Sequence, residues 1–228
     1  ILYHLRMEGR RESPTVANTC CEGQGTRLFG SLPEYIFSIA EDGLYVNLFE
    51  PSTVRWQRVG QLLSLNLKSR FPYEPAVELK VSAPQRVAMK LRVRVPGWAA
   101  AQMPIAVNGI QTAVGKPGTY AVLDRTWADG DTVSFTLPMD FRTTRYAGLD
   151  QIEGHDRYAL EYGPVLLAAV GPLDKKFRIQ IVQPIESLRD WLRAKPGQPL
   201  HFTVQDHAGC EFMPCWEIGD RTFTTYPV

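Results

Sequence analysis

Two adjacent cysteines, Cys20 and Cys21, are the residues of this sequence best suited to do chemistry. They stand directly before a glycine-rich turn and a predicted helix start, where exposed backbone amides favour anions. Adjacent cysteines seldom bridge each other, because disulfide geometry requires Cα atoms farther apart than neighbours usually allow. Two interpretations stay open. The pair is either two small buried hydrophobic residues, which the spacing alone favours, or two thiolates that bind a metal such as zinc.

Two thiolates do not complete a tetrahedral zinc site, which takes four ligands. The other candidate donors lie far downstream, in predicted strands, and their spacing matches no zinc finger. Packed or solvated strand residues are the better interpretation of this set. A zinc ion at the cysteine pair would therefore need donors from elsewhere in the protein. The downstream candidates are Cys210, Cys215, His201 and His207.

Carboxylates and tryptophans are the other groups with potential chemistry, because paired carboxyl groups cleave glycosidic bonds and aromatic rings stack on sugars. Glu22 and Glu34 flank the cysteines, while Glu41, Asp42 and residues 129–131 lie in predicted turns. Turn carboxylates usually shape the turn, and no spacing here sets two of them across a cleft. The tryptophans, which a β-sandwich more often places in its core, are Trp56, Trp98, Trp127, Trp191 and Trp216.

A helix over residues 24–42 is predicted to follow the cysteine pair. Apolar residues recur there at intervals of four, four and three, which is typical of one helix face. Pro33 is expected to kink this helix, and Gly43 to end it in a left-handed cap. The predicted apolar face consists of Leu28, Leu32, Ile36 and Ile39.

Downstream of the helix the apolar residues alternate with polar ones, as in half-buried β-strands. Residues 87–95 place apolar side chains on one face and basic side chains on the other. Asn108-Gly109 predicts a two-residue hairpin turn, and Asp129-Gly130 predicts a second turn. Strands that recur about every ten residues predict an antiparallel β-sandwich.

Beyond residue 145 the pattern loosens into a second small β region. One short helix is predicted after Ser187, which is placed to cap it. The predicted strand segments in this region are residues 157–170, 177–185, 200–206 and 211–218.

Composition and charge exclude several classes of function. The chain has 228 residues, of which 44% are hydrophobic and 21% charged, and its formal net charge is +1. Without a basic excess, nucleic acid is not an expected partner. The longest apolar run, residues 163–171, is far shorter than the roughly 20 residues that cross a bilayer, so no membrane span is expected. The first residues resemble neither a natural start nor a signal peptide, which suggests a truncated chain of open compartment.

A series of segments in fixed order runs through the whole chain, beginning with the double cysteine before a helix. Together they resemble the C-terminal half of glycoside hydrolase family 127, the β-L-arabinofuranosidase group. The resemblance covers essentially all of the sequence. The segments are CCEGQGTRLFGSLPEYIF (20–37), DGLYVNLFEPS (42–52), LRVRVPGWA (91–99), VNG (107–109), GTYAVLDRTWADGDTVSFTLPM (118–139), ALEYGPVLLA (159–168) and FMPCWEIGDRTFTTY (212–226).

The resemblance implies a mainly β chain that starts with the end of an α/α barrel and continues into antiparallel β-sandwich domains. Residues 1–43 would be the terminal segment of the catalytic barrel, contributing one helix. Residues 44–145 would form a β-sandwich domain, and residues 146–228 a second small β-sandwich region.

The resemblance also implies a zinc-dependent, retaining glycoside hydrolase that acts on arabinofuranosyl-type glycans. Cys20 would be the nucleophile that forms a thioglycosyl intermediate, and both Cys20 and Cys21 would bind zinc. The acid/base glutamate and the other zinc ligands would lie in an upstream barrel segment, so this chain alone is expected to be inactive. The rivals are a non-catalytic β-sandwich module that binds carbohydrate or buttresses a partner domain, and a homologue whose zinc is only structural.

Overall fold

The structure, a computed structural model, divides into two units. One unit is Gly25–Met139, and the other consists of the described residues of Ile1–Gln24 and Asp140–Val228. For residues 21 and 22, which lie in a helix, the structure describes the backbone but not the side chains. The residues that the structure describes are 8–9, 20–149, 151–172, 179, 181 and 183–227.

The described residues are mostly β-strands, and nearly all neighbouring strands run antiparallel, which confirms the predicted mainly β fold. The helices are α1 (Cys20–Ser31) and α2 (Leu188–Trp191), with 3-10 turns at Leu32–Tyr35 and Ile185–Ser187. The strands are β1 (Glu8–Gly9), β2 (Phe37–Ala40), β3 (Gly43–Val46), β4 (Ser52–Arg58), β5 (Gln61–Ser69), β6 (Ala76–Ser82), β7 (Val87–Val95), β8 (Met103–Val107), β9 (Ile110–Gly115), β10 (Thr119–Trp127), β11 (Thr132–Thr136), β12 (Phe141–Arg145), β13 (Tyr158–Tyr162), β14 (Val165–Val170), β15 (Leu192–Ala194), β16 (Phe202–Val204), β17 (Glu211–Pro214) and β18 (Phe223–Thr224).

The unit Gly25–Met139 is a β-sandwich. A four-stranded sheet in the order β10-β7-β3-β2 and a six-stranded sheet in the order β4-β5-β6-β11-β8-β9 share one hydrophobic core. In β7 the side chains of Leu91, Val93 and Val95 are fully buried in this core, and the basic side chains between them face outward. The alternation of apolar and basic residues therefore predicted both faces of the strand correctly.

Both predicted turns are present, but they connect different kinds of strand pairs. Asn108 and Gly109 have φ of 51° and 80°, and they join β8 to its antiparallel partner β9 as a tight hairpin. Gly130 has φ of 81° at the second turn, which leads from β10 in one sheet to β11 in the other. The second turn is therefore a connection between the two layers of the sandwich.

The helix predicted over residues 24–42 is wrong in its second half. Helix α1 ends at Ser31, a 3-10 turn follows, and Phe37–Ala40 forms strand β2, which pairs with β3 as a hairpin. Pro33 lies within the 3-10 turn, where its missing backbone donor prevents continuation of an α-helix. Ile39, assigned to the buried helix face, is 60% exposed on β2.

The second unit is built on one eight-stranded sheet. Its strands follow the order β1-β18-β14-β17-β16-β15, and β13 joins β12 to β14. The predicted short helix is present as α2; Ser187 precedes it but makes no side-chain capping hydrogen bond. The strand predicted at residues 177–185 falls mostly outside the described residues.

The predicted division of the chain into residues 1–43, 44–145 and 146–228, with its barrel segment, stays a prediction. Neither of the two helices in the described part of the chain has the length and apolar character that a membrane crossing requires.

Candidate active site

Cys20 is the first residue of helix α1, and its side chain is exposed. The amides of a first helical turn lack partners within the helix, so this position favours a negatively charged group such as a thiolate. The side chain of Cys21 is outside the described residues. Of the predicted pair, the structure therefore places one thiol, that of Cys20, exposed at a helix start.

The described residues do not by themselves fit a zinc ion. Among them, no group of three or more cysteine, histidine, aspartate or glutamate side chains is arranged to hold a metal. A tetrahedral zinc site takes four such donors. Any zinc bound by Cys20 would therefore need most of its ligands from outside the described part of the chain.

The downstream cysteines and histidines have environments that suit packing. Cys210 is buried, and burial raises the pKa of its thiol to about 11, which keeps it protonated at neutral pH. Cys215 is half-buried beside the apolar cluster of the eight-stranded sheet. The ring of His201 lies 3.6 Å from the Glu217 carboxylate. These observations support their interpretation as structural residues.

The aspartates of the second turn shape the backbone. Asp129 accepts hydrogen bonds from the Ser82 hydroxyl and the Ala83 N–H, and these lower the pKa of its carboxyl group. Burial raises the pKa of Asp131, but hydrogen bonds from the Ala128 N–H and the Asn108 amide outweigh it and leave the pKa lowered. A general acid needs the opposite shift, so neither aspartate is suited to that role.

Asp42, another turn carboxylate, belongs to an ion-pair cluster that sequence patterns did not reveal. Its oxygens accept two hydrogen bonds from Arg92, at 2.6 and 2.9 Å, and Lys90 Nζ lies 3.1 Å away. The Arg92 guanidinium also stacks over the Tyr45 ring, 4.7 Å from its centroid. These partners come together because β3 and β7 run side by side in parallel, a pairing that no local signal indicates.

The tryptophans mostly confirm the core interpretation. Trp56, Trp127 and Trp191 are buried, and Trp98 is half-buried and stacked on the Phe71 ring. Trp216 differs, with 46% of its surface exposed.

The whole six-stranded sheet and all of the four-stranded sheet except β2 lie within a segment that matches a known family model. Residues 43–139 match the model described as the beta-L-arabinofuranosidase, GH127 middle domain. This segment is therefore similar to a GH127 middle domain. The match confirms the predicted resemblance to glycoside hydrolase family 127. A search of curated proteins gave no significant match.

Three solved structures of glycoside hydrolases, two of them described as GH127 proteins, share the fold over nearly the whole chain. A structure described as a glycoside hydrolase has a TM-score of 0.70 at 18% identity and covers 99% of this chain. A GH127 beta-arabinofuranosidase has a TM-score of 0.70 at 20% identity and covers 92% of it. A GH127 beta-L-arabinofuranosidase from Geobacillus stearothermophilus T6 has a TM-score of 0.63 at 20% identity and covers 91% of it. The chain spans 42%, 38% and 37% of those three chains.

Proposed function

We propose that this chain is part of a retaining glycoside hydrolase that acts on arabinofuranosyl-type glycans, with Cys20 as its nucleophile. The observation that carries the proposal is the exposed Cys20 thiol at the start of α1, just upstream of the segment that matches the GH127 middle-domain model. The alternative is a β-sandwich module that binds or buttresses without catalysis, in which the cysteine pair is structural.

The chemistry assigned to Cys20 follows from the nucleophilicity of a thiolate. Its sulfur attacks the anomeric carbon, forming a carbon–sulfur bond as the glycosidic carbon–oxygen bond breaks and a carboxylic acid protonates the leaving oxygen. Water then displaces the sulfur, with the same carboxylate accepting its proton. Two displacements at one carbon give net retention of configuration. The described aspartates with lowered pKa values do not suit the acid, so we assign it to another part of the protein.

Zinc enters the proposal as the ion that keeps thiols deprotonated at neutral pH when it is bound. We assign Cys20 and Cys21 as two of its ligands. The remaining donors would come from residues other than those described, in keeping with the incomplete set of donors around Cys20.

An exposed apolar surface supports a further part of the protein beside α1. Leu28 and Phe29 on α1 are 56% and 66% exposed, and Leu32, Tyr35 and Ile39 in the next ten residues are 39%, 57% and 60% exposed. Such a concentration of exposed large apolar side chains in one short segment is typical of a surface that another part of a protein covers. We propose that an upstream catalytic-barrel segment covers it, which agrees with the partial coverage of the related structures.

The test replaces the nucleophile in the full-length protein. Cys20→Ser is expected to lower the release of arabinose from an aryl β-L-arabinofuranoside by about 10³-fold or more, because a neutral hydroxyl is a far weaker nucleophile than a thiolate. The matched control, Cys215→Ser, is expected to keep its activity. Unchanged turnover in Cys20→Ser would remove Cys20 from the mechanism and favour the non-catalytic module.

A further inference from the structure

The outer face of the six-stranded sheet contains an open cavity of about 700 Å³. It lies wholly within the unit Gly25–Met139, on the side of the sheet that faces away from the hydrophobic core. Its volume falls in the range of about 300–1,000 Å³ that is typical of sites for small ligands. Cys20 is not among its lining residues.

The cavity has the shape of a trough because the side chains along one row across the strands differ in length. In register, Glu78 of β6 faces Ser134 of β11, Ser134 faces Ala106 of β8, and Ala106 faces Gln111 of β9. Lys68 of β5 extends the row beside Glu78. Small side chains therefore form the floor in the middle, and long polar side chains form the walls at both ends.

The charges at one wall are already balanced. Lys68 Nζ lies 3.3 Å from a Glu78 carboxylate oxygen, and Arg70 lies 2.9 Å from Glu74. All four side chains are between 47% and 75% exposed, so their donors and acceptors can still reach a ligand. Because two positive and two negative groups cancel, the trough has no net charge to attract an anion or a cation.

We propose that this trough binds a neutral oligosaccharide of about three sugar units. A sugar chain is uncharged and has hydroxyl groups that both donate and accept hydrogen bonds, which matches walls of amide, carboxylate and cationic groups around a floor of small side chains. The site goes beyond the proposed function, since it holds glycan without catalysis. An apolar partner would remove water from these half-exposed polar wall groups and offer no hydrogen bonds in return, which is costly.

The test is isothermal titration of the full-length Cys20→Ala variant, which cannot turn over substrate by the proposed mechanism, with arabinotriose and xylotriose. At least one trisaccharide is expected to bind, with a Kd that changes less than twofold between 50 and 500 mM salt, because no net charge is involved. Ser134→Trp fills the floor and is expected to raise that Kd at least tenfold. Ser64→Trp, an outward serine of the same sheet outside the cavity, is the matched control and is expected to leave it unchanged.

If Ser134→Trp fails to fold, Gln111→Ala removes one wall group and is expected to raise the Kd severalfold. The proposal is overturned if neither trisaccharide binds, if Ser134→Trp binds as tightly as its parent, or if binding is lost at high salt. It is also overturned if Ser134→Trp instead dissociates a dimer, which would assign the face to a second copy of the chain. Turnover of the aryl arabinofuranoside is also measured for Ser134→Trp with Cys20 intact. Turnover at the wild-type level shows that this site is separate from the proposed catalytic site.

Discussion

Two cysteines of this chain occupy opposite chemical environments. Cys20 is exposed at a helix start, whereas Cys210 is buried and the pKa of its thiol is raised to about 11. Since the thiolate is the reactive form of cysteine, only the first position is suited to nucleophilic chemistry. Residue type alone did not separate these two sites; solvent access did.

The thiols are expected to differ in alkylation. At pH 8 a thiol of pKa about 11 is only about one part in a thousand thiolate, so iodoacetamide should leave Cys210 unmodified in the folded protein. Cys20 is expected to be modified first under the same conditions. Peptide mass spectrometry over time measures both, and urea-unfolded protein is the control in which Cys210 should react. Fast labelling of Cys210 in the native state would contradict its burial.

Asp42 is expected to make stability depend on acid pH. Hydrogen bonds from Arg92, and then from Lys90, hold the pKa of its carboxyl group well below the unfolded value of about 3.9. The stability it contributes is therefore complete above about pH 4 and is lost as pH falls toward the lowered folded pKa. At pH 7 the free energy of unfolding should be higher for the wild type than for Asp42→Asn. This difference in free energy should become smaller below about pH 4.

Urea unfolding from about pH 7 to 2.5 measures this difference. The exposed Glu50 provides the control, because Glu50→Gln is expected to change stability little at any pH in this range. A difference between wild type and Asp42→Asn that is the same at both ends of the range would contradict the assigned role.

At the scale of elements, the hairpin β2–β3 depends on the close approach of Gly43 to β7. Gly43 is paired in register with Lys90, and a Cβ atom at Gly43 would collide with the Lys90 carbonyl group and come within 2.9 Å of its amide nitrogen. The neighbouring backbone cannot yield without breaking the parallel pairing of β3 and β7. The glycine is therefore required by the contact between strands.

Gly43→Ala is accordingly expected to destabilise the protein by about 3 kcal/mol, as overpacking against fixed backbone does. Gly97→Ala is the matched control, because nothing lies within 4 Å of a Cβ built there; its effect should stay within about 1 kcal/mol. Thermal or urea unfolding measures both variants. Equal stabilities for the two would show that β3 and β7 are not in this close contact.

The elements also show where periodicity misleads. Residues 28–39 have apolar residues at helical spacing, yet the chain changes from helix to strand within this stretch. From the sequence, Pro33 is compatible either with a kink in the helix or with its end. The helix ends because the residues that follow pair as strand β2 with β3. Short apolar patterns do not distinguish a helix from a strand when a hairpin partner follows directly.

At the scale of the whole molecule, local patterns predicted several of the strands, the faces of β7 and the Asn108-Gly109 turn, because these depend on neighbouring residues. The parallel pairing of β3 with β7, and with it the cluster around Asp42, depends on residues far apart in sequence. The same limit applies to the site. Resemblance singled out Cys20 and Cys21, whereas the trough on the six-stranded sheet appears only when five strands are placed in register.

The parallel pair also determines the order in which the sandwich can assemble during synthesis. Between β3 and β7 the ribosome must add the roughly forty residues that contain β4, β5 and β6 of the opposite sheet. At about 5–20 residues per second, synthesis of these residues takes about 2–8 s, and only then is β7, the parallel partner of β3, made. During that interval the edge of β3 that later pairs with β7 has no strand partner, and an unpaired edge of this kind is prone to misassociation.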